Sequence, residues 1–177
     1  LFRSPMPFDL LYWNSDSTRM PSTMHAFYLR NMYQQNNLIK PNGLTLLDTP
    51  INLSKITTPT YILATREDHI APARSVFTGS QCFGGPVDYI VAGSGHIAGV
   101  VNPPAARKYQ YWTNPGVTES LEAFIATAEE HPGSWWPYWI EWIRSRTPGE
   151  VPAKGRRVPG GRGDKVIEDA PGRYVRE

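Results

Sequence analysis

Pro59-Thr60-Tyr61-Ile62-Leu63-Ala64-Thr65, followed across the short turn Arg66-Glu67 by Asp68, is the stretch on which the fold turns. A second run of the same character, Val87-Asp88-Tyr89-Ile90-Val91-Ala92, leads across Gly93-Ser94-Gly95 to His96. Short runs rich in β-branched, aromatic and apolar residues predict strands. Each of these two ends in a loop that carries one half of an acid–histidine pair, and loops at the carboxyl ends of strands are where α/β sheets meet their ligands. The acid precedes the histidine by 28 residues, about the room for one strand, one short helix and the next strand. In the α/β-hydrolase fold the order along the chain is nucleophile, acid, histidine. The two runs therefore predict the α/β class, as the C-terminal part of an α/β-hydrolase sheet, with the nucleophile upstream of Leu1.

Composition fits a piece of that kind. A length of 177 residues suffices for one core of ordinary domain size. The opening Leu-Phe-Arg-Ser-Pro-Met-Pro-Phe lacks the basic-then-apolar pattern of a signal peptide, and no apolar run approaches the length of a membrane span. A single cysteine allows no internal disulfide and points to a reducing compartment. The expectation is the C-terminal portion of a larger cytoplasmic protein. A net charge of +2 gives no reason to invoke nucleic acid or a membrane surface. The basic residues Lys154, Arg156, Arg157 and Arg162 lack interleaved aromatics and read as a solvated tail.

Hydrophobic spacing predicts three helices. Met24, Phe27, Tyr28 and Met32 share one face over Pro21 to about Asn36. Leu121, Phe124, Ile125 and Ala128 do so from Thr118 or Glu119 to His131, with Pro132-Gly133 as the stop. Ser134 is an N-cap for a third, striped by Trp136, Trp139, Ile140 and Ile143. Two strands followed by two amphipathic helices are expected at the end of a helix-covered sheet. Five of the six tryptophans fall between Pro103 and Arg146. The helical spacing of Trp135, Trp136, Trp139 and Trp142 favours packing over a stacking platform for sugars or bases, with one or two rings left over for an interface or channel.

Taken alone, an Asp after a strand is commonly a turn residue or cap, and a His among glycines is commonly structural. Jointly Asp68 and His96 match a catalytic pair in order, spacing and context: a carboxylate that orients the imidazole and stabilises its charged form. The glycines are expected to let the backbone turn tightly so that the ring projects. His69, next to the acid, reads as a surface histidine or a supporting residue. Cys82 mimics a nucleophile in Ser80-Gln81-Cys82-Phe83-Gly84, but Ser80 replaces the first glycine of the elbow and the cysteine lies between acid and histidine. It is expected to be a small buried residue. One cysteine and the scattered His25, His69, His96 and His131 give no metal-ligand spacing, and no phosphate-binding glycine loop follows a strand, so neither metal nor cofactor is expected.

Four segments together carry a family resemblance: Pro7-Phe8-Asp9-Leu10-Leu11-Tyr12-Trp13-Asn14-Ser15-Asp16, Arg66-Glu67-Asp68-His69-Ile70, Gly95-His96-Ile97-Ala98-Gly99-Val100-Val101-Asn102-Pro103-Pro104 and Gly133-Ser134-Trp135-Trp136-Pro137. In this order they resemble class I polyhydroxyalkanoate synthases, as does the terminal Ala170-Pro171-Gly172-Arg173-Tyr174-Val175. The resemblance implies a transferase that polymerises (R)-3-hydroxyacyl-CoA thioesters into a polyester and releases CoA, through a Cys-His-Asp site. Asp68 and His96 match the family's acid and histidine, with Asp68 acting either through His96 or directly on the substrate hydroxyl. Its cysteine box is absent here, so the N-terminal remainder of the protein is an implied partner. Residues 1–53 would be part of the cap over the site, 54–147 the end of the hydrolase core, and 148–177 a Pro/Gly/Arg-rich tail. Trp13 falls in the cap's Trp-Asn segment, as a packing or substrate-channel residue. A homodimer and a place at the surface of polymer granules are further implications. An esterase or epoxide hydrolase fragment is one alternative, separated by whether the upstream box holds serine or aspartate in place of cysteine, and a non-catalytic granule-binding fragment is another, separated by whether an N-terminal companion segment is present.

Overall fold

The computed structural model describes residues 17–116, 119–147, 149–150, 165, 167–169 and 172–173. The chain divides into two compact units, Leu1–Trp136 and Pro137–Glu177. The first holds all the strands found among the described residues.

The two runs that opened the analysis are strands. β3, Thr60–Thr65, pairs in parallel with β4, Val87–Ala92, in the register Thr60 to Val87 through Thr65 to Ala92. The crossover between them carries a helix, Ala73–Ser80, here α2. Burial deepens toward the carboxyl ends of both strands, as expected where a parallel sheet is covered on its faces. Ala64, Tyr89 and Val91 form the core with Trp112, with Ala73 and Phe77 of α2, and with Phe124. Phe77, Tyr89 and Phe124 meet edge to face at centroid distances of 5.1, 5.3 and 6.2 Å, the arrangement their quadrupoles favour. Buried Tyr89 donates its hydroxyl to the Ala73 carbonyl at 2.9 Å, so the ring is fixed at its polar end as well.

Beyond β4 the sheet gains two strands that the sequence did not suggest, alongside the two expected helices. β5, Gln110–Thr113, runs antiparallel to β4, and β6, Glu129–Pro132, runs antiparallel to β5, giving the order β3-β4-β5-β6. The helix between β5 and β6, α3, is Leu121–Thr127, shorter than the predicted span to His131. It starts at Ser120, whose hydroxyl accepts from the Ala123 N–H at 3.1 Å. It ends because Ala128 turns extended and Glu129 to Pro132 take ladder bonds with β5 instead. Phe124 is its one buried residue, and Leu121, Ile125 and Ala128 pack, partly buried, against the same core.

Upstream, α1 covers Ser22–Tyr28 and continues as a π-helix over Leu29–Gln34. Neither stretch buries a residue: Met24 is 59% and Phe27 37% exposed, so the predicted apolar face is present without a cover among the described residues. A small hairpin, β1 Leu44–Leu46 and β2 Thr49–Ile51, follows. Its two-residue turn, Leu47-Asp48, has φ of 45° and 61°, the left-handed pair such tight hairpins require.

In the second unit the third predicted helix is present as α4, Trp136–Arg144, which starts at the end of the first unit. Ser134 accepts from the Trp136 N–H at 3.1 Å. Arg146 lies over the Trp142 ring, 3.9 Å from its centroid. No described helix is long and apolar enough to cross a membrane. Trp13, the basic residues 154, 156, 157 and 162, and most of the tail lie outside the described residues.

Candidate functional site

The parallel ladder does not stop with the strands. Arg66 N–H donates to the Ala92 carbonyl at 2.8 Å, and Glu67 N–H to the Ser94 carbonyl at 3.1 Å. These bonds zip the Asp68 loop to the His96 loop just past the carboxyl ends of β3 and β4. Asp68 and His96 face each other there: Nδ1 of His96 lies 2.7 Å from Oδ2 of Asp68.

Each oxygen of the carboxylate is spoken for. Oδ1 accepts from the backbone N–H groups of Ile70 and Ala71, both at 2.8 Å. Oδ2 accepts from His96 and from the Thr65 hydroxyl at 3.3 Å. Burial by itself pushes the Asp68 carboxyl up. The donors Ala71, His96 and Ile70 outweigh it and hold the group at about 2. Asp68 is thus an ionised acceptor, its side chain only 6% exposed, while the imidazole is 45% exposed. With Nδ1 turned to the carboxylate, the neutral ring carries its proton there, and Nε2 is the nitrogen left to accept one from a substrate or nucleophile.

The histidine loop owes its shape to one of the expected glycines and to one residue that was not expected. Left-handed backbone falls on Ser94, φ 74°, rather than on Gly93 or Gly95. The glycine with a steric requirement is Gly99. A Cβ there would stand 2.6 Å from the Gly93 carbonyl oxygen and 2.6 Å from Cγ2 of Thr65. Thr65, buried at the end of β3, therefore touches both loops, one through its hydroxyl and one through its methyl. Only the acid and the histidine were legible in sequence; Thr65 carries no motif signal.

The remaining candidates separate from this pair. His69 is exposed on the loop and is not among the donors to Asp68. Cys82 sits in the turn after α2, half-buried rather than buried, with Sγ 3.8 Å from the Thr78 carbonyl. His131 belongs to β6, where its ring stacks on Tyr111 at 4.8 Å and Nε2 meets the Thr113 hydroxyl at 2.8 Å. Trp135 and Trp136 are neither a platform nor simple packing: their indole N–H groups donate to the carbonyls of Gly99 and Val100. Arg66, one residue past β3, lies 4.9 Å over the Trp112 ring, whose Nε1 donates to Glu130 at 3.0 Å. A largely apolar cleft of about 380 Å³ between β4, α2 and α3 is lined by Arg66, Ala73, Val91, Leu121 and Ile125, and it includes neither Asp68 nor His96. Among the described residues no three His, Cys, Asp or Glu side chains gather as a metal site would need.

Fold and site thus define a mixed α/β protein with an ionised acid hydrogen-bonded to a half-exposed histidine at the ends of two parallel strands. Its sequence relatives are narrower than that class. The chain is homologous over nearly its whole length to poly(3-hydroxyalkanoate) polymerases. It is 54% identical over 175 residues to "Poly(3-hydroxyalkanoate) polymerase subunit PhaC" of Rhizobium etli, a match covering 99% of this chain and 27% of that protein. It is 52% identical to "Poly(3-hydroxyalkanoate) polymerase" of Methylorubrum extorquens, over 98% of this chain and 28% of the relative. It is 43% identical to the PhaC subunit of Cupriavidus necator, over 98% and 29%. The chain therefore spans under a third of the length of the curated relatives it matches. No protein-family model matches the chain.

Proposed function

We propose that this chain is the acid- and histidine-bearing segment of a poly(3-hydroxyalkanoate) polymerase that joins (R)-3-hydroxyacyl units from CoA thioesters and releases CoA. The observation that carries the reading is the 2.7 Å contact between His96 Nδ1 and an Asp68 carboxylate held ionised by its backbone donors. The cysteine nucleophile belongs to the N-terminal remainder of the protein, and the whole core is of the α/β-hydrolase type. Residues 1–53 are then part of a cap, 54–147 the end of the core, and 148–177 a tail. The working assembly is a cytoplasmic homodimer at the granule surface.

His96 Nε2 takes the proton of the cysteine thiol as sulfur attacks the thioester carbonyl. Collapse of the tetrahedral intermediate breaks the carbon–sulfur bond to CoA, and the histidine returns the proton to the departing thiolate. The acyl group, now on the cysteine, is next attacked by the 3-hydroxyl of another unit, whose proton again passes to Nε2. That step forms the ester and frees the cysteine. Asp68 orients the ring and stabilises the imidazolium in both steps. A direct role on the hydroxyl is disfavoured because both carboxylate oxygens are already engaged and the side chain is almost covered.

The test is H96A in the full-length protein carrying this segment. CoA release from (R)-3-hydroxybutyryl-CoA is expected to vanish while the protein stays folded. Continued release by the folded variant would overturn the reading.

A further inference from the structure

The Gly133-Ser134-Trp135-Trp136 stretch has no part in the chemistry above, yet it reaches the histidine loop. That loop is a helical turn in its own right: Gly99 N–H donates to the Gly95 carbonyl at 2.9 Å, and Val101 N–H to the Ile97 carbonyl at 2.8 Å. A turn of this kind leaves its last carbonyls without donors from its own backbone. Two of those carbonyls, Gly99 and Val100, each receive an indole N–H from far along the chain, from Trp135 Nε1 at 3.1 Å and Trp136 Nε1 at 3.0 Å.

We propose that Trp135 and Trp136 are positioning residues for His96, acting as a two-point clamp on the carboxyl end of its loop. The proposal deepens the polymerase reading and rests on it. The amino end of the loop is held by the β4 ladder and by the Glu67–Ser94 bond. The indoles hold the other end, one turn beyond the imidazole. Asp68 is anchored independently by Ile70 and Ala71, so release of the clamp moves the ring relative to a fixed carboxylate. The clamp is itself built in. Gly133, at φ 87°, turns the chain out of β6 while its N–H stays bonded to the Tyr109 carbonyl at 2.8 Å. Ser134 then caps the Trp136 N–H. Trp135 is buried and Trp136 is half-buried.

The experiment compares W135F, W136F and 3-benzothienylalanine at position 136 in the full-length protein. The last keeps the shape of the indole and puts sulfur where the N–H stood. CoA release from (R)-3-hydroxybutyryl-CoA is followed alongside H96A. Each clamp variant is expected to lose about tenfold or more in kcat, because small misplacements of a catalytic group are costly, with KM within about twofold of the parent. The half-buried Trp136 carries the test if W135F does not fold. Parent-like kcat in folded W136F and the benzothienyl variant, with H96A inactive, overturns the clamp and leaves the polymerase reading standing. A loss of kcat that merely tracks the loss of folded protein also overturns it. Activity in H96A overturns the reading beneath it.

Discussion

Replacing Asp68 by asparagine separates the charge of the carboxylate from its shape, and the structure dictates which way the amide must lie. The oxygen site facing Ile70 and Ala71 receives two N–H donors at 2.8 Å, which only an oxygen can accept. The amide NH2 of D68N is thereby forced toward His96 and the Thr65 hydroxyl. Facing a donor, the imidazole must present a bare Nδ1 and carry its proton on Nε2, the nitrogen that has to accept one. The same substitution in a serine protease triad leaves the geometry intact and lowers kcat about 10⁴-fold through the wrong tautomer. A loss of about 10³- to 10⁴-fold is expected here, roughly 4–5.5 kcal/mol on the barrier. The assay is CoA release from (R)-3-hydroxybutyryl-CoA by the purified full-length variant, with circular dichroism to show that the fold is retained. Turnover within about tenfold of the parent would refute the argument. So would a crystal structure of D68N with the amide nitrogen toward Ile70 and Ala71.

Gly99→Ala would drive a methyl into the Gly93 carbonyl and the Thr65 methyl. A destabilisation of about 1–3 kcal/mol is expected from overpacking, read from the urea midpoint, together with slower CoA release as the His96 loop shifts. Cys82→Ala should keep CoA release within about twofold, since the thiol makes one weak contact in a turn, and an acyl adduct mapped to Cys82 would show otherwise. Because the Asp68 carboxyl is depressed in the folded state from its ordinary 3.8 to about 2, its stabilising contribution is complete above about pH 4 and is lost as the pH falls toward 2. The difference in urea midpoint between the parent and D68N should therefore be level from neutral pH down to about 4 and shrink below it.

The parallel unit was legible because two independent signals agreed: apolar β-rich runs, and polar residues placed just beyond each of them. β5 was not. Gln110-Tyr111-Trp112-Thr113 has too few residues to show a period, and it becomes a strand through its neighbours β4 and β6. β6 is stranger still, since Glu129-Glu130-His131-Pro132 reads as the polar end of the preceding helix. Tertiary pairing overrode that local reading, helped by Trp112 bonding to Glu130 and Tyr111 stacking on His131. The hairpin at Leu44–Ile51 escaped notice because Leu47-Asp48 adopts left-handed backbone without the glycine or asparagine that usually marks it. At the site, motif order found the two residues that bear the proposed chemistry. Gly99 and the two indoles lie in segments that the sequence had already singled out, but their contacts with the histidine loop, like those of Thr65, are set in three dimensions and no spacing announces them.

The two rims of the four-stranded sheet are not alike. β6 ends it with Glu129, Glu130 and Pro132, charges and a proline of the kind that discourage another chain from adding on. β3 ends it on the other side with Thr60 to Thr65, a run without a charge, in parallel pairing and with β4 as its one sheet neighbour among the described residues. A rim of that composition is a template for strand addition. Produced by itself, the segment should therefore be a poor soluble reagent, prone to self-association along β3.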